Sequence, residues 1–507
     1  MSNVNIQSVV IVGGGVAGGL TALFLRKFLK GKVDIQVLAP NSMPPMTVGE
    51  STNGPFTGFL DSLGLTRQTL IRECDATIKV ASEFENWSPP GRGQKWTHEF
   101  QPTAAHAGIP MFHYWLQRFR KGLTTTGYQD ACFVNAELVR QCRVPFADAD
   151  AAPHFPYGYH LNGTKLGRVL HSRCTELGVR WDDEEVSSAK LDSNGRIAAL
   201  TCRSGREVHG DFFIDCTGFR RKLMSLAFGD SADAPQWRSF ADYLHCDSAV
   251  YFTLPPDSPN VRPSTLGTAL SSGWVWDIPL RDQISLGYVY SSKFQDAESA
   301  EREFREFVGR GHDRPVGTLR WTPGMLDRAW VRNCLAIGVS NSFMEPIESL
   351  TSATLTVELR HLLVNFPNRN FNDAGIERYN SAITKQCVDN RDFISLHYVT
   401  GGRDDTPFWR AIQRDTARSD RVQALLRDYR RQAPHTLEGI YDVKAIFGMF
   451  TARGILPGDD FPLLEFVDHE GAEDRFRAIQ QEHSQLRDRY MDHSQFLKAI
   501  ASATLAA

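Results

Sequence analysis

The stretch that most limits what this chain can fold into is Val9-Val10-Ile11-Val12-Gly13-Gly14-Gly15-Val16-Ala17-Gly18. Four β-branched residues make a short buried strand, and Leu20, Leu23, Phe24 and Phe28 continue at helical spacing. Between them Gly13, Gly15 and Gly18 fit the G-x-G-x-x-G pattern. In that pattern the first glycine allows the tight strand-to-helix turn and the second lets a pyrophosphate approach the backbone. The third lets helix and strand pack closely, with free helix N–H groups aimed at phosphate oxygens. Strand before and helix after favour a dinucleotide site over an ordinary glycine-rich turn. A second strand follows, Asp34 to Leu38. The acid that usually ends it, holding the ribose hydroxyls, is replaced by Leu38-Ala39-Pro40, so Leu38→Glu is expected to tighten dinucleotide binding.

With 507 residues, 42% hydrophobic and 23% charged, the chain has ample sequence for a large core. A net charge of -3 argues against nucleic acid as a partner. Nine cysteines stand singly, without a C-x-x-C pair, which points to buried thiols in a reducing compartment and to neither a disulfide framework nor a metal site. No basic leader is visible, and no apolar run approaches the about 20 residues that cross a bilayer. A cytoplasmic protein with no membrane partner is expected.

Past the second strand, Thr47-Val48-Gly49-Glu50-Ser51-Thr52-Asn53-Gly54-Pro55 reads as a loop that lies over a ligand or merely turns. Phe56 to Glu73 reads as one helix and Asp75 to Trp87 as one strand, with Lys79 on the face opposite Ile78 and Val80; from pattern alone Lys79 is a solvated edge charge. Residues 88–154 show no clean period and many aromatics, an inserted region. Gly158 to Leu170 begins another helix, and Arg180 to Val208 alternates like strands with turns at Ser193-Asn194-Gly195 and Ser204-Gly205. Phe212 to Phe219 is a buried strand ending in a small turn that could bring Gly218 to the same ligand. Residues 231–325 are strand-like, and alternation puts Trp274 and Trp276 on one face, as core residues or as a cavity wall. Asn333 to Gly338 is a third apolar strand, and a helix runs through Leu355 to Leu363 with serine and threonine at its start, a place for an anion. Beyond 366 the chain is mainly helical. Its eight arginines from Arg403 to Arg431 read as a solvated face, and Glu473 to Ala507 as an amphipathic helix.

Taken together these segments resemble the flavin-dependent tryptophan halogenases, relatives of the single-component flavin hydroxylases, over about residues 9–457. The matching pieces are the Gly13–Gly18 loop, the Val48-Gly49-Glu50-Ser51-Thr52 strap, Lys79 after Ala76-Thr77, Ile214-Asp215-Cys216-Thr217-Gly218-Phe219, and Gly287 to Ser292. The most specific are Trp274-x-Trp276-x-Ile278-Pro279 and Phe343-x-Glu345-Pro346-Ile347-Glu348-Ser349. Arg391-Asp392-Phe393-Ile394-x-x-His397-Tyr398 and Asp405-Thr406-Pro407-Phe408-Trp409 fit the C-terminal part.

The resemblance implies an α/β chain with an FAD-binding Rossmann-like fold of the GR2 flavoprotein type, a mixed-sheet substrate region and a mainly helical C-terminal part. It implies FAD-binding parts at 1–87, 155–230 and 330–385 (the last also for halide), substrate-region parts at 88–154 and 231–329, and a helical cap at 386–507. FAD, used as FADH2, is expected along Gly13, Gly15, Val16, Ala17, Gly18, Gly49, Glu50, Ser51, Thr52, Gly218 and Gly338. Chloride or bromide is expected at Ser349, Leu350 and Thr351. With O2 these yield hypohalous acid. Trp274, Trp276, Ile278 and Pro279 wall the flavin off, so the oxidant travels to Lys79, while Glu348 polarises it or takes the ring proton. An ammonium is a compact donor and a carboxylate a proton acceptor, which is why the chemistry needs these two types. This position in the family pattern reverses the edge-charge reading of Lys79.

No second nucleotide loop is visible, so a separate flavin reductase is the expected partner, and a homodimer is compatible with the resemblance. The chain departs from the family at Leu38, at Glu348-Ser349-Leu350-Thr351 (usually Glu-Ser-Thr-Gly), and at Val443-Lys444-Ala445-Ile446-Phe447, where halogenases of free tryptophan carry a Tyr-Tyr pair. The last departure leads the expectation to an indole inside a peptide or larger precursor. The alternatives are free tryptophan or a small phenol or pyrrole as substrate, an FAD-dependent aromatic hydroxylase, and a non-catalytic flavin-fold binding protein. Gly338-Val339, in place of a hydroxylase's Gly-Asp, disfavours the hydroxylase, and retention of Lys79 and Glu348 disfavours the binding protein.

Overall fold

The Ser8–Val12 strand runs through the middle of a six-stranded sheet in the computed structural model, which describes residues 4–41, 49–89, 95–229, 231, 234–436 and 443–502. From one edge the order is Arg180–Asp182, Asp34–Leu38, Ser8–Val12, Phe212–Asp215, Cys334–Ala336 and Trp330–Val331, parallel except for the last pair. A parallel sheet is covered on both faces, which is why Val9 to Val12 is apolar throughout and does not alternate. The Val16–Phe28 helix follows and buries Leu20, Leu23 and Phe24, as the spacing predicts.

Leu38 does end the second strand, in register with Val12, yet its side chain belongs to an apolar cluster with Val10, Val12, Val186 and Leu200. It therefore occupies core. The expectation that a glutamate there would hold ribose is corrected: a carboxylate at 38 would have to displace apolar packing against Val10, Val12, Val186 and Leu200.

A second, seven-stranded sheet holds Gly317–Arg320, Ser248–Leu254, Ile284–Tyr290, Gly273–Pro279, Ser264–Ala269, Ala81–Glu85 and Lys95–Glu99 in that order. A three-stranded sheet flanks it, in which Gly49–Ser51 and Thr77–Lys79 both pair with Gly158–Asn162. The single strand expected over 75–87 is thus two. Thr77–Lys79 belongs to the small sheet and Ala81–Glu85 to the large one, and between them the Val80 N–H donates to Pro263 O. Lys79 stands where the chain changes sheets.

Other expectations shift for local reasons. The helix over 56–73 divides into Gly54–Ser62 and Arg67–Glu73, because Gly64 turns with φ +81° and Thr66 caps the second piece through its hydroxyl. Gly158–Asn162 is a strand, and the helix starts after it at Gly163, capped by Asn162. The region read as patternless contributes the Lys95–Glu99 strand and the Met111–Arg120 helix. The Arg403–Arg431 segment is largely surface, but Arg403 is buried on Asp405 and over the Trp409 ring. The tail is three helices, Glu470–Ser484, Leu486–Arg489 and His493–Ser502. Val48, at the head of the strap, and residues 503–507 lie outside the described residues.

One apolar core runs from Val9 through Phe112, Trp274 and Leu359 to Phe447 and Phe496, so both sheets and the C-terminal helices share it. Among the described residues no helix is long and apolar enough to cross a membrane, and all nine cysteines are free thiols. The position of Leu38 yields a prediction: Leu38→Glu lowers unfolding stability by at least about 2 kcal/mol, the low end for losing a buried leucine, in urea denaturation. Unchanged stability with tighter flavin binding would contradict it.

Candidate functional site

Lys79 is 1% exposed. Its ammonium donates to Ser51 Oγ at 2.9 Å and Ser349 Oγ at 3.1 Å, and Ser349 Oγ lies 3.0 Å from Ser51 Oγ. The Phe100 ring sits 5.2 Å away. Two of the three N–H bonds are thereby used, and among the described residues the third meets no acceptor, which leaves it to a ligand. Burial pulls the amine down to about 8, against the opposing charge of Glu348.

Glu348 and Ser349 precede the Leu350–Val364 helix, and both have left-handed backbone, φ +58° and φ +59°. Each costs about 1–3 kcal/mol for a residue other than glycine, a strain that persists only where the surroundings impose it. Here the turn throws the Glu348 carboxylate toward two histidines. Its Oε1 lies 2.9 Å from His98 Nδ1 on the Lys95–Glu99 strand and 3.3 Å from His397 Nε2 on the Asp373–Val399 helix. Burial alone would raise the carboxyl, but the charge and hydrogen bonds of His98 and His397 hold it well below the usual carboxylate range. Burial also lowers the His397 imidazole, and Glu348 works the other way.

Lys79, Glu348 and Ser349 line one cleft with Gly49, Ser51, Trp274, Trp276 and Ile278. Trp274 and Trp276 do share a face: the Trp274 indole N–H donates to Glu345 Oε2 at 2.9 Å, and Tyr398 OH donates to the same oxygen at 2.7 Å. Pro279 closes that strand, its carbonyl accepting from Thr77 Oγ1 at 2.7 Å. Leu350 and Thr351 lie on the other side of Ser349, where they line a neighbouring cavity with Gly338, Glu345 and Asn390. A wider surface cleft, between Gly54–Arg67 and Asp150–Tyr157, contains none of the residues singled out in the sequence.

At the glycine loop, Gly13 and Gly18 are demanded by close packing. A Cβ at Gly13 would meet Cys216 O at 2.3 Å, and one at Gly18 would meet Gly13 O at 1.9 Å. Nothing lies within 4 Å of a Cβ at Gly15. The helix N-terminus there, with Val16 and Ala17 in its first turn, has no side-chain cap, so its N–H groups remain available to a phosphate. Gly218 and Gly338 are held near the loop. The Gly218 N–H donates to Ser340 Oγ at 2.8 Å, and Gly338 N–H to Glu358 Oε2 at 2.8 Å. Asp215 knits this end of the sheet by accepting from Thr217, Met224 and Ser340. These features fit a dinucleotide flavin.

In the strap, Glu50 is exposed and Thr52 is tied to Tyr159 O, while Ser51 faces Lys79 and Thr265. Ser51 therefore belongs to the lysine's hydrogen-bond cluster, which sequence reasoning assigned to the cofactor. His98 was missed because it lies in the stretch without a period. His397 stood in a quoted motif, without a role. At the Tyr-Tyr position, Lys444 donates to Gln101 O at 2.8 Å and Phe447 stacks on Phe112 at 3.9 Å between ring centres.

The sequence model of the family described as tryptophan halogenase matches residues 8–469. Tryptophan 7-halogenase RebH of Lentzea aerocolonigenes is 34% identical, over 88% of this chain and 86% of its own length. The structure of Tar14, a tryptophan C-6 flavin-dependent halogenase from taromycin biosynthesis, superposes with a TM-score of 0.90 at 28% identity, covering 98% of this chain and all of Tar14. That of MibH, a lanthipeptide tryptophan 5-halogenase, gives 0.83 at 27%, covering 99% and 94%. The chain belongs to the tryptophan halogenase family and is a flavin-dependent halogenase.

Proposed function

We propose that the enzyme halogenates an electron-rich indole by passing hypohalous acid to Lys79, with Glu348 as the base. The observation that carries this reading is the shared cleft, in which a buried ammonium and a buried carboxylate flank Ser349 behind the Trp274–Trp276 wall. FAD is the fitting cofactor, along the open Gly15 helix start, reduced by a separate flavin reductase. When bound and reduced it supplies, with O2 and halide, the hypohalous acid. The free first turn at Leu350 and Thr351 suits the halide.

The third N–H of Lys79 holds the hypohalous oxygen. As the ring carbon takes the halogen, the halogen–oxygen bond breaks and the departing hydroxide takes a proton from Lys79, leaving as water. Burial makes Lys79 a better acid for this step. The ring then loses its proton to Glu348, and that proton passes back to Lys79, so both groups return to their starting states. The net change is arene plus hypohalous acid to haloarene plus water.

The substrate is an indole whose amine and carboxylate are engaged elsewhere, a tryptophan within a peptide or larger precursor. The support is the Val443–Phe447 position. Its one ionisable side chain, Lys444, is committed to Gln101 O, and its aromatic side chain, Phe447, is stacked on Phe112. A buried zwitterion without donors is costly.

Lys79→Ala is expected to abolish halogenated product while flavin oxidation continues. In the native enzyme, product formation should fall as pH rises through about 8, where the ammonium is lost. Normal yield from the variant, or a rise above that pH, would contradict the role. Glu348→Gln should slow single-turnover halogenation by about 10²–10⁴-fold, the range for a general base, with unchanged thermal unfolding; a loss of only a few fold would make the residue structural. Offered free tryptophan, an indole-bearing peptide and a simple phenol together with reductase, NADH and bromide, the enzyme should brominate the peptide by mass. Efficient turnover of free tryptophan with the peptide ignored would overturn the substrate reading.

A further inference from the structure

His397 has its tautomer fixed by its own helix. Its Nδ1 lies 3.0 Å from Phe393 O, one turn earlier. A carbonyl oxygen only accepts, so Nδ1 carries a hydrogen. In a neutral ring Nε2 would then be a bare lone pair, facing Glu348 Oε1 at 3.3 Å. Two acceptors at that distance repel unless a proton lies between them. Glu348 Oε1 has a second donor in His98, and among the described residues no protein hydrogen bond reaches Oε2.

We infer that His397 is a positioning residue that stands as an imidazolium in the resting enzyme, pinning Glu348 Oε1 with His98 so that Oε2 alone is presented to the substrate proton. The inference rests on Glu348 being the base proposed above. The imidazole is enclosed by aromatic rings, 4.9 Å from Phe84 and Phe393, 5.7 Å from Trp96 and 6.2 Å from Trp87. Other charged or titratable groups bear on the pair from three elements: Lys79 from the Thr77–Lys79 strand, His98 from Lys95–Glu99, and Arg453 just after the Val443–Ala452 helix. Burial, the largest influence, and Arg453 leave the imidazole below its ordinary value, against the pull of Glu348 and the Phe393 carbonyl; the cation rests on the contacts, since with Nδ1 on the Phe393 carbonyl no other arrangement lets both bond while Glu348 is a carboxylate. The proton is thus a structural element. When it is lost, Oε1 keeps only His98, and the carboxylate is held at one point in place of two.

The test is nitrogen-15 NMR on histidine-labelled protein without substrate, with His397 assigned through His397→Gln. At pH 7 both of its ring nitrogens should resonate as proton-bearing, and in Glu348→Gln its Nε2 should move to the range of a bare nitrogen while Nδ1 stays. A bare Nε2 in the native protein would overturn the inference. In turnover, His397→Gln keeps an N–H toward Glu348 that cannot titrate. It should stay within about threefold of native and lose the decline that follows His397 deprotonation. His397→Phe, checked for native thermal unfolding, should fall about 10–100-fold, the loss of one hydrogen bond to a charged group. Equal loss in both variants, or none in His397→Phe, would contradict a donor role. Because the NMR is read without substrate, it stands or falls separately from the assignment of Glu348 as the base.

Discussion

A buried ammonium with hydroxyls for its near partners is the constraint on which the site depends. Lys79 rests on Ser51 and Ser349, and Glu348 acts on it through space, with no contact among the described ion pairs. Burying such a charge is expensive unless it is hydrogen-bonded. The lysine and the two hydroxyls that hold it come from three places: Ser51 from the strap before the Gly54–Ser62 helix, Lys79 from the strand at which the chain changes sheets, and Ser349 from the turn before the Leu350–Val364 helix. The small sheet on Gly158–Asn162 brings the first two into register. The left-handed turn at Glu348 and Ser349 brings the third.

That turn explains how one short motif serves both sides of a wall. With both residues left-handed, the Glu348 and Ser349 side chains enter the Lys79 cleft, while Leu350 and Thr351 begin a helix whose first turn faces the cavity beside Gly338. Extended backbone there would alternate the side chains and would not send Glu348 and Ser349 together into one cleft. Glu345, earlier in the same motif, ties the Trp274 indole and Tyr398 together, so the wall and the turn are positioned by one segment.

The glycine loop, the parallel sheet and the two tryptophans were legible in the sequence because each follows from a local rule: close packing at Gly13 and Gly18, unbroken apolar strands, alternation at 274 and 276. Lys79 was not legible from pattern. A strand lysine is ordinarily a solvated edge, and only the small sheet and the turn far along the chain bury it. Leu38 misled for the converse reason, since the rule for its position concerns a side chain that here faces core. His98 and His397 were hidden because 250 and 49 positions separate them from Glu348, and no local period brings such residues together.

The central claim is that halide and Lys79 are kept on opposite sides of Ser349. Anomalous diffraction from a crystal soaked in bromide, without substrate, tests it directly. Bromide is expected against the first-turn N–H groups of Leu350 and Thr351, in the cavity beside Gly338 and away from Lys79 Nζ. Bromide seated on Lys79 Nζ within the Trp274–Trp276 cleft, with the helix start empty, would contradict it.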